Sequence, residues 1–134
     1  MRHFVLFALA VCLGCGSDSS TSPTGSSIAG TWALQTVNGS PLPFTLAQQG
    51  TNKTEVLSDI ATADSHGAYT DITTIRITIN GVASTQSIPD AGTYTLNGTA
   101  LVLRSNDGSS LTGSLSGNTF TVSADGFAYV YKKQ

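Results

Sequence analysis

The feature that most restricts this chain is its punctuation. Turn dipeptides recur at Asn38-Gly39, Asn80-Gly81, Asn97-Gly98, Asp107-Gly108, Gly117-Asn118 and Asp125-Gly126. Asn-Gly and Asp-Gly tolerate positive φ at both central positions of a type I′ turn, whose twist matches that of a two-stranded antiparallel ribbon. Between these turns apolar and polar residues alternate. Ile75, Ile77 and Ile79 stand against Arg76, Thr78 and Asn80; Tyr94 and Leu96 against Thr93, Thr95 and Asn97; Leu111 and Leu115 against Thr112, Ser114 and Ser116. A period of two over such spans reads as strands. The spacing predicts strands over 31–38, 54–63, 68–80, 82–89, 92–97, 100–105, 110–116, 119–123 and 127–132, each neighbouring the next. Such an antiparallel meander leaves two exposed edges unless it curls and closes. The expected fold is therefore all-β, a meander closing into a small up-and-down barrel over 28–134. The segment 39–50, with Pro41 and Pro43, breaks the rhythm. It reads as a loop over one mouth or a short helical plug, with Leu42, Phe44 and Leu46 as a cap.

Composition agrees with an extracytoplasmic β-protein. Charged residues make up 10% of the chain, against about 25% in typical soluble proteins, and the formal net charge is −2. Lys53, Arg76, Arg104, Lys132 and Lys133 form no run that could neutralise a phosphate backbone, so no nucleic-acid partner is expected. Glu, Lys, Met and Arg are scarce after residue 16, which leaves long solvated helices nothing to decorate them. At 134 residues there is room for one modest core and no second domain.

The first 27 residues form a different region. Arg2 and His3 precede an apolar run over 4–11, and Gly14 stands before Cys15. The run is too short for the roughly 20 residues that a spanning helix needs and reads as a signal peptide over 1–14. Cys12 and Cys15 could form a disulfide or a C-x-x-C metal or redox motif, but such motifs need both thiols held by a folded scaffold. Leu13-Gly14-Cys15 resembles the lipobox of bacterial lipoproteins, in which a small residue precedes the cysteine that receives the lipid and becomes the new N-terminus. The resemblance implies lipid attachment at Cys15. The family usually has Leu three positions before that cysteine, where this chain has Cys12; Cys12 itself, with Leu9 three residues upstream and Val11 before it, is the rival candidate. A multiply acylated cysteine would be a lasting membrane tether, unlike a single myristoyl chain. Residues 16–27, GSDSSTSPTGSS, lack apolar side chains apart from Pro23 and complete a flexible linker over 15–27, spanning roughly 20 Å on average. Gly16 and Ser17 follow the cysteine in place of the Asp of an inner-membrane retention signal. The expected location is the cell envelope, periplasm-facing, with the outer membrane favoured.

A second resemblance covers nearly all of 28–134. Gly30-Thr31-Trp32 matches the G-x-W signature of the lipocalin superfamily, and GTWALQTVNGSPLPF with the late GTYTLNGTALVLRSNDGSSLTGSLSGNTFTVSADGFAYVYKK looks like the small lipocalin-like domains of bacterial envelope lipoproteins. The resemblance implies that Trp32 closes one end of the barrel and that a late Arg packs on it, a place for which Arg104 is the residue available.

Catalytic patterns are not apparent. His66, in ADSHG, is the single histidine after the signal segment; with Asp64 it supplies two groups where a zinc site needs three or four ligands, and a solvated turn is the expectation. No G-x-S-x-G elbow or Gly-rich phosphate loop occurs. Glu55, Asp59, Asp64, Asp71, Asp90, Asp107 and Asp125 read as turn residues or outward strand residues, not as a pair flanking a cleft. The chain is therefore expected to be non-catalytic, with no cofactor, no metal site and no ligand-binding residue yet assignable. Two functions remain open: a binding module holding a small apolar or amphipathic molecule, or a filled barrel that meets a protein partner. An eight-stranded barrel is compatible with either, and neither oligomeric state nor partner is implied.

Overall fold

A computed structural model describes residues 27–134. The signal segment 1–14, the Cys12 and Cys15 candidates and all but the last residue of the linker lie outside the described residues. Among the described residues the chain is strand and turn throughout: β1 (Gly30–Val37), β2 (Ser40–Pro41), β3 (Phe44–Gln49), β4 (Asn52–Ala63), β5 (Ala68–Ile79), β6 (Val82–Asn97), β7 (Ala100–Ser105), β8 (Ser110–Ser116), β9 (Thr119–Ala124) and β10 (Phe127–Lys133). The order β1-β10-β9-β8-β7-β6-β5-β4 is antiparallel throughout, and β4 pairs back to β1, closing eight strands into a barrel. β2 and β3 are additional strands on β1 and β4.

The closure is partial, and this determines where space is left. β1 meets β4 only from Gly30↔Ala63 to Ala33↔Ile60. Beyond that point β1, which stays on β10 throughout with a bulge between Leu34 and Thr36, takes β2 on its other edge, while β4 takes β3. Bulges add local twist and re-aim strands at barrel rims in this way. The segment expected to be a loop or helical plug is thus a pair of short strands. Pro41 and Pro43 are accommodated because β2 is a two-residue edge strand and Pro43 lies in the turn after it, positions where a missing N–H costs no ladder bond. Leu42, Phe44 and Leu46 are half-buried against the core, as expected of a cap.

Two further expectations are corrected. The runs 82–89 and 92–97 are one strand: β6 continues through Pro89-Asp90, because β7 pairs with it only from Gly92 to Asn97 and leaves the edge beside Pro89 without a partner. The turn signatures also differ in kind. Asn38-Gly39, Asn80-Gly81 and Asp125-Gly126 have positive φ at both residues, the type I′ pattern. The Asn97↔Ala100 pairing instead makes Gly98 and Thr99 central, with positive φ at Gly98 alone, the type II′ arrangement.

Trp32, Leu101, Leu115, Val37 and Val122 are the largest fully buried side chains, and an aromatic cluster lies at the end where β1 meets β4. Trp32 meets Phe120 edge-on at 4.9 Å, and Phe120 stacks on Tyr131 at 4.5 Å, geometries that add to the area term. The indole Nε1 donates to the Ile28 carbonyl at 2.7 Å, so Trp32 is buried without stranding its one polar atom. The cation over the ring is Lys133, its Nζ 5.6 Å from the centroid. Arg104 is exposed, one residue before the turn that leads into β8; the place the resemblance offers Arg104 is filled by Lys133.

Candidate functional site

Along β5 the residues that point inward, followed from the Trp32 end toward the far rim, are Tyr69, Asp71, Thr73, Ile75 and Ile77. This phase follows from the buried Tyr69 and Ile75 and the period of two. At the Trp32 end the side chains of Trp32, Tyr69 and Phe120 are buried. Above them lies a cavity of about 350 Å³, partly open to solvent, near the lower end of the range for small-molecule pockets. Leu34, Val56, Ile75, Leu111, Val122 and Tyr129 contribute apolar wall, with Leu46 from the cap and half-exposed Ile88 also lining it.

Three carboxylates face this space: Asp59 from β4, Asp71 from β5 and Asp90 from β6. Register explains why. Asp71 is directly opposite Asp90 on the neighbouring strand, and Asp59 directly opposite Thr73, so all three lie on the inner face. Asp59 gets there through a bulge between Val56 and Ser58. That bulge reverses the alternation of β4, turning Asp59 inward and sending Ile60, 42% exposed, outward.

The three acids are held differently. Asp90 is occupied on both oxygens: Oδ2 accepts from the Tyr69 hydroxyl at 3.0 Å, and Oδ1 accepts from the Ser105 hydroxyl. Asp59, 6% exposed, accepts at Oδ2 from Tyr131 at 2.9 Å and from Thr73 at 3.1 Å. Its Oδ1 is buried with no partner, and so is Oδ1 of Asp71. Buried polar atoms without partners are uncommon, and each needs a cause. Desolvation pushes the Asp71 carboxyl up to about 7, helped by the negative charges of Asp59 and Asp90. Desolvation also raises Asp59, against the hydrogen bonds from Tyr131 and Thr73. Burial holds the Tyr131 and Tyr69 hydroxyls protonated; the Asp59 charge and the hydrogen bond to Asp90, respectively, act in the same direction. No Lys, Arg or His lines the cavity.

The remaining acids fall as follows. Asp64 is a turn residue, its Oδ1 accepting the backbone N–H groups of His66 at 2.8 Å and Ala68 at 2.9 Å. Asp107 holds the β7–β8 turn through Ser109 N at 2.7 Å, and Asp125 lies in its type I′ turn. Glu55, on the outer face, is buried beneath an ion triplet, 2.8 Å from Arg76 and 3.0 Å from Lys53. The Arg76 hydrogen bond, then that of Lys53, holds its carboxyl at about 2. The expectation that the acids are solvated at turns or outward positions therefore holds for Asp64, Asp107 and Asp125, holds for Glu55 in direction but not in solvation, and fails for Asp59, Asp71 and Asp90. The phase of β5 carried the missed signal, since Asp71 falls in step with Ile75 and Ile77. Asp90 likewise falls in step with Tyr94 and Leu96.

Among the described residues no group of three or more His, Cys, Asp or Glu side chains is arranged to hold a metal ion, and no helix is long and apolar enough to cross a membrane. No protein-family model matches this chain, and no curated protein matches it either.

Proposed function

We propose that the barrel is a non-catalytic binding module of the lipocalin-like kind, carried at the cell envelope on a lipid attached to Cys15, and that its interior holds a small apolar or amphipathic molecule. The carrying observation is the interior cavity of about 350 Å³. A filled barrel would have no such space, so the cavity favours binding over the alternative of a solid domain that only meets a protein partner. Apolar walls supply affinity through area removed from water, while a few placed polar groups give orientation. The linker over 15–27 would let the domain stand off the membrane by roughly 20 Å, with its mouth in the aqueous phase.

Two measurements test this reading. The full chain, isolated from membranes and analysed by native mass spectrometry, is expected to carry a small-molecule adduct that the cavity-filling variant Ala124→Trp lacks; equal occupancy in both proteins would remove the cavity from the account. Metabolic labelling with a radioactive fatty acid is expected to mark the wild-type chain and the Cys12→Ala variant and to miss Cys15→Ala. Label retained in Cys15→Ala would refute the assignment of the tether.

A further inference from the structure

The cavity is amphipathic in a specific sense: apolar around its walls, negative on the β4–β5–β6 side, and without a lining cation. A buried carboxylate is costly unless it is paired or hydrogen-bonded, and two oxygens, Oδ1 of Asp59 and Oδ1 of Asp71, are unsatisfied inside the barrel. Each Asp90 oxygen already accepts one hydrogen bond, from Tyr69 or from Ser105, and the carboxylate adds negative potential. Tyr131 and Thr73 fix the Asp59 carboxylate from its other side, so its free oxygen is held in place before anything binds.

We propose that this cavity binds an amphipathic organic cation, a protonated primary amine seated against Oδ1 of Asp59 and Oδ1 of Asp71, with its apolar part against Ile75, Leu111 and Tyr129 toward Ile88. The inference rests on the reading that the cavity holds a small molecule, and it specifies that molecule's charge and polarity. An ammonium brings three donors, enough for both orphaned oxygens, and charge-assisted hydrogen bonds of this kind are the strong ones. A fatty acid or other anion would meet only negative groups. A bare metal ion is disfavoured by the absence, among the described residues, of a convergent ligand set.

The site also predicts a proton linkage. The titratable groups facing Asp71 are Tyr69 on its own strand, Asp59 from β4, Asp90 from β6, and Tyr129 and Tyr131 from β10. The tyrosines remain neutral across the accessible range, because burial raises all three. An empty cavity therefore keeps Asp71 partly protonated near pH 7, and a bound cation displaces that proton. Affinity for an amine that stays charged throughout should increase as pH rises through about 7 and then level off.

The test uses calorimetric titration of the full chain in lipid nanodiscs, against protein-free nanodiscs, with hexylammonium, 1-hexanol and hexanoate. Hexylammonium is expected to bind at least tenfold more tightly than hexanol at pH 8, with hexanoate not binding. The hexylammonium advantage should shrink about tenfold by pH 5.5, and hexanol should be indifferent to pH. Asp71→Asn should lower hexylammonium affinity about tenfold and leave hexanol unchanged, and Asp59→Asn provides a second variant should the first fail to fold. Hexanol binding as tightly as hexylammonium would overturn the cation inference and leave the cavity reading standing. No binding of any of the three would overturn both, and a pH-independent preference for the amine would overturn the roles of Asp59 and Asp71.

Discussion

The two ends of this barrel are built on opposite terms. At the Trp32 end β1 pairs with β4, aromatic rings interlock, and the one indole N–H has its acceptor. Toward the other rim the same strands part, a cavity opens, and two carboxylate oxygens have no partner. At the first end packing and hydrogen bonding agree around the buried Trp32, as consistency across levels requires of a region that specifies a fold. The second end violates the rule that buried charges be paired, and such violations tend to mark sites of function that the rest of the structure supports. The lesson is a division of labour along one set of strands: stability is concentrated where the ring closes, and chemical tension is kept where it does not.

This contrast can be broken experimentally. Trp32→Ala removes the centre of the closed end and should cost about 3–5 kcal/mol, read as a drop in denaturation midpoint; a loss below 1 kcal/mol would mean that the packed end does not hold the barrel together. Gly113→Ala comes next. A Cβ at Gly113 would lie 1.8 Å from the Thr121 carbonyl oxygen on β9, a backbone atom that cannot swing aside. We expect a loss toward the upper end of the roughly 1–3 kcal/mol typical of overpacking, measured by urea unfolding.

The open end should respond with the reverse sign. Asp71 holds its proton more tightly in the folded chain, where its pKa is about 7, than at its ordinary value of 3.8. Its contribution is therefore most favourable when protonated and is lost as pH rises through 7. The urea midpoint of the empty protein should fall between pH 5 and pH 8. Glu55 does not confuse the reading: it is held at about 2, so its support is fully present above its ordinary value of 4.5 and disappears only in stronger acid. Asp71→Asn should raise stability at pH 8, on the order of 1 kcal/mol once partial exposure is discounted, and make the pH slope shallower, with Asp59 supplying what remains. A variant less stable than wild type at pH 8 would show that the carboxylate is structural. The smallest effect belongs to Lys133→Ala, which removes the cation over Trp32 and should cost about 0.5–1 kcal/mol in the same assay.

Much of the fold was legible because turn chemistry and alternation are local. The type I′ pairs at Asn38, Asn80 and Asp125 and the strands between them follow from dipeptides and a period of two. What escaped depended on distant partners. β6 runs through Pro89 because β7 is too short to reach it, and β3 forms because β1 has left β4. The site was legible only in part. Asp71 and Asp90 share the phase of apolar neighbours, so an inward position could have been read from them. Asp59 could not have been placed that way, since its direction is reversed by a bulge at Leu57 that no residue type announces.

The long ribbon formed by the outer halves of β5 and β6 has a dynamic consequence. Val82 through Ile88 are exposed and have neighbours on one side only, since the pairing of β6 with β7 begins at Gly92. Segments with few buried contacts and solvent-facing backbone open first. The rim over the cavity should therefore breathe on its own, exchanging its amide hydrogens well before those of β1 or β10, and a molecule could pass in or out without the closed ring ever having to open.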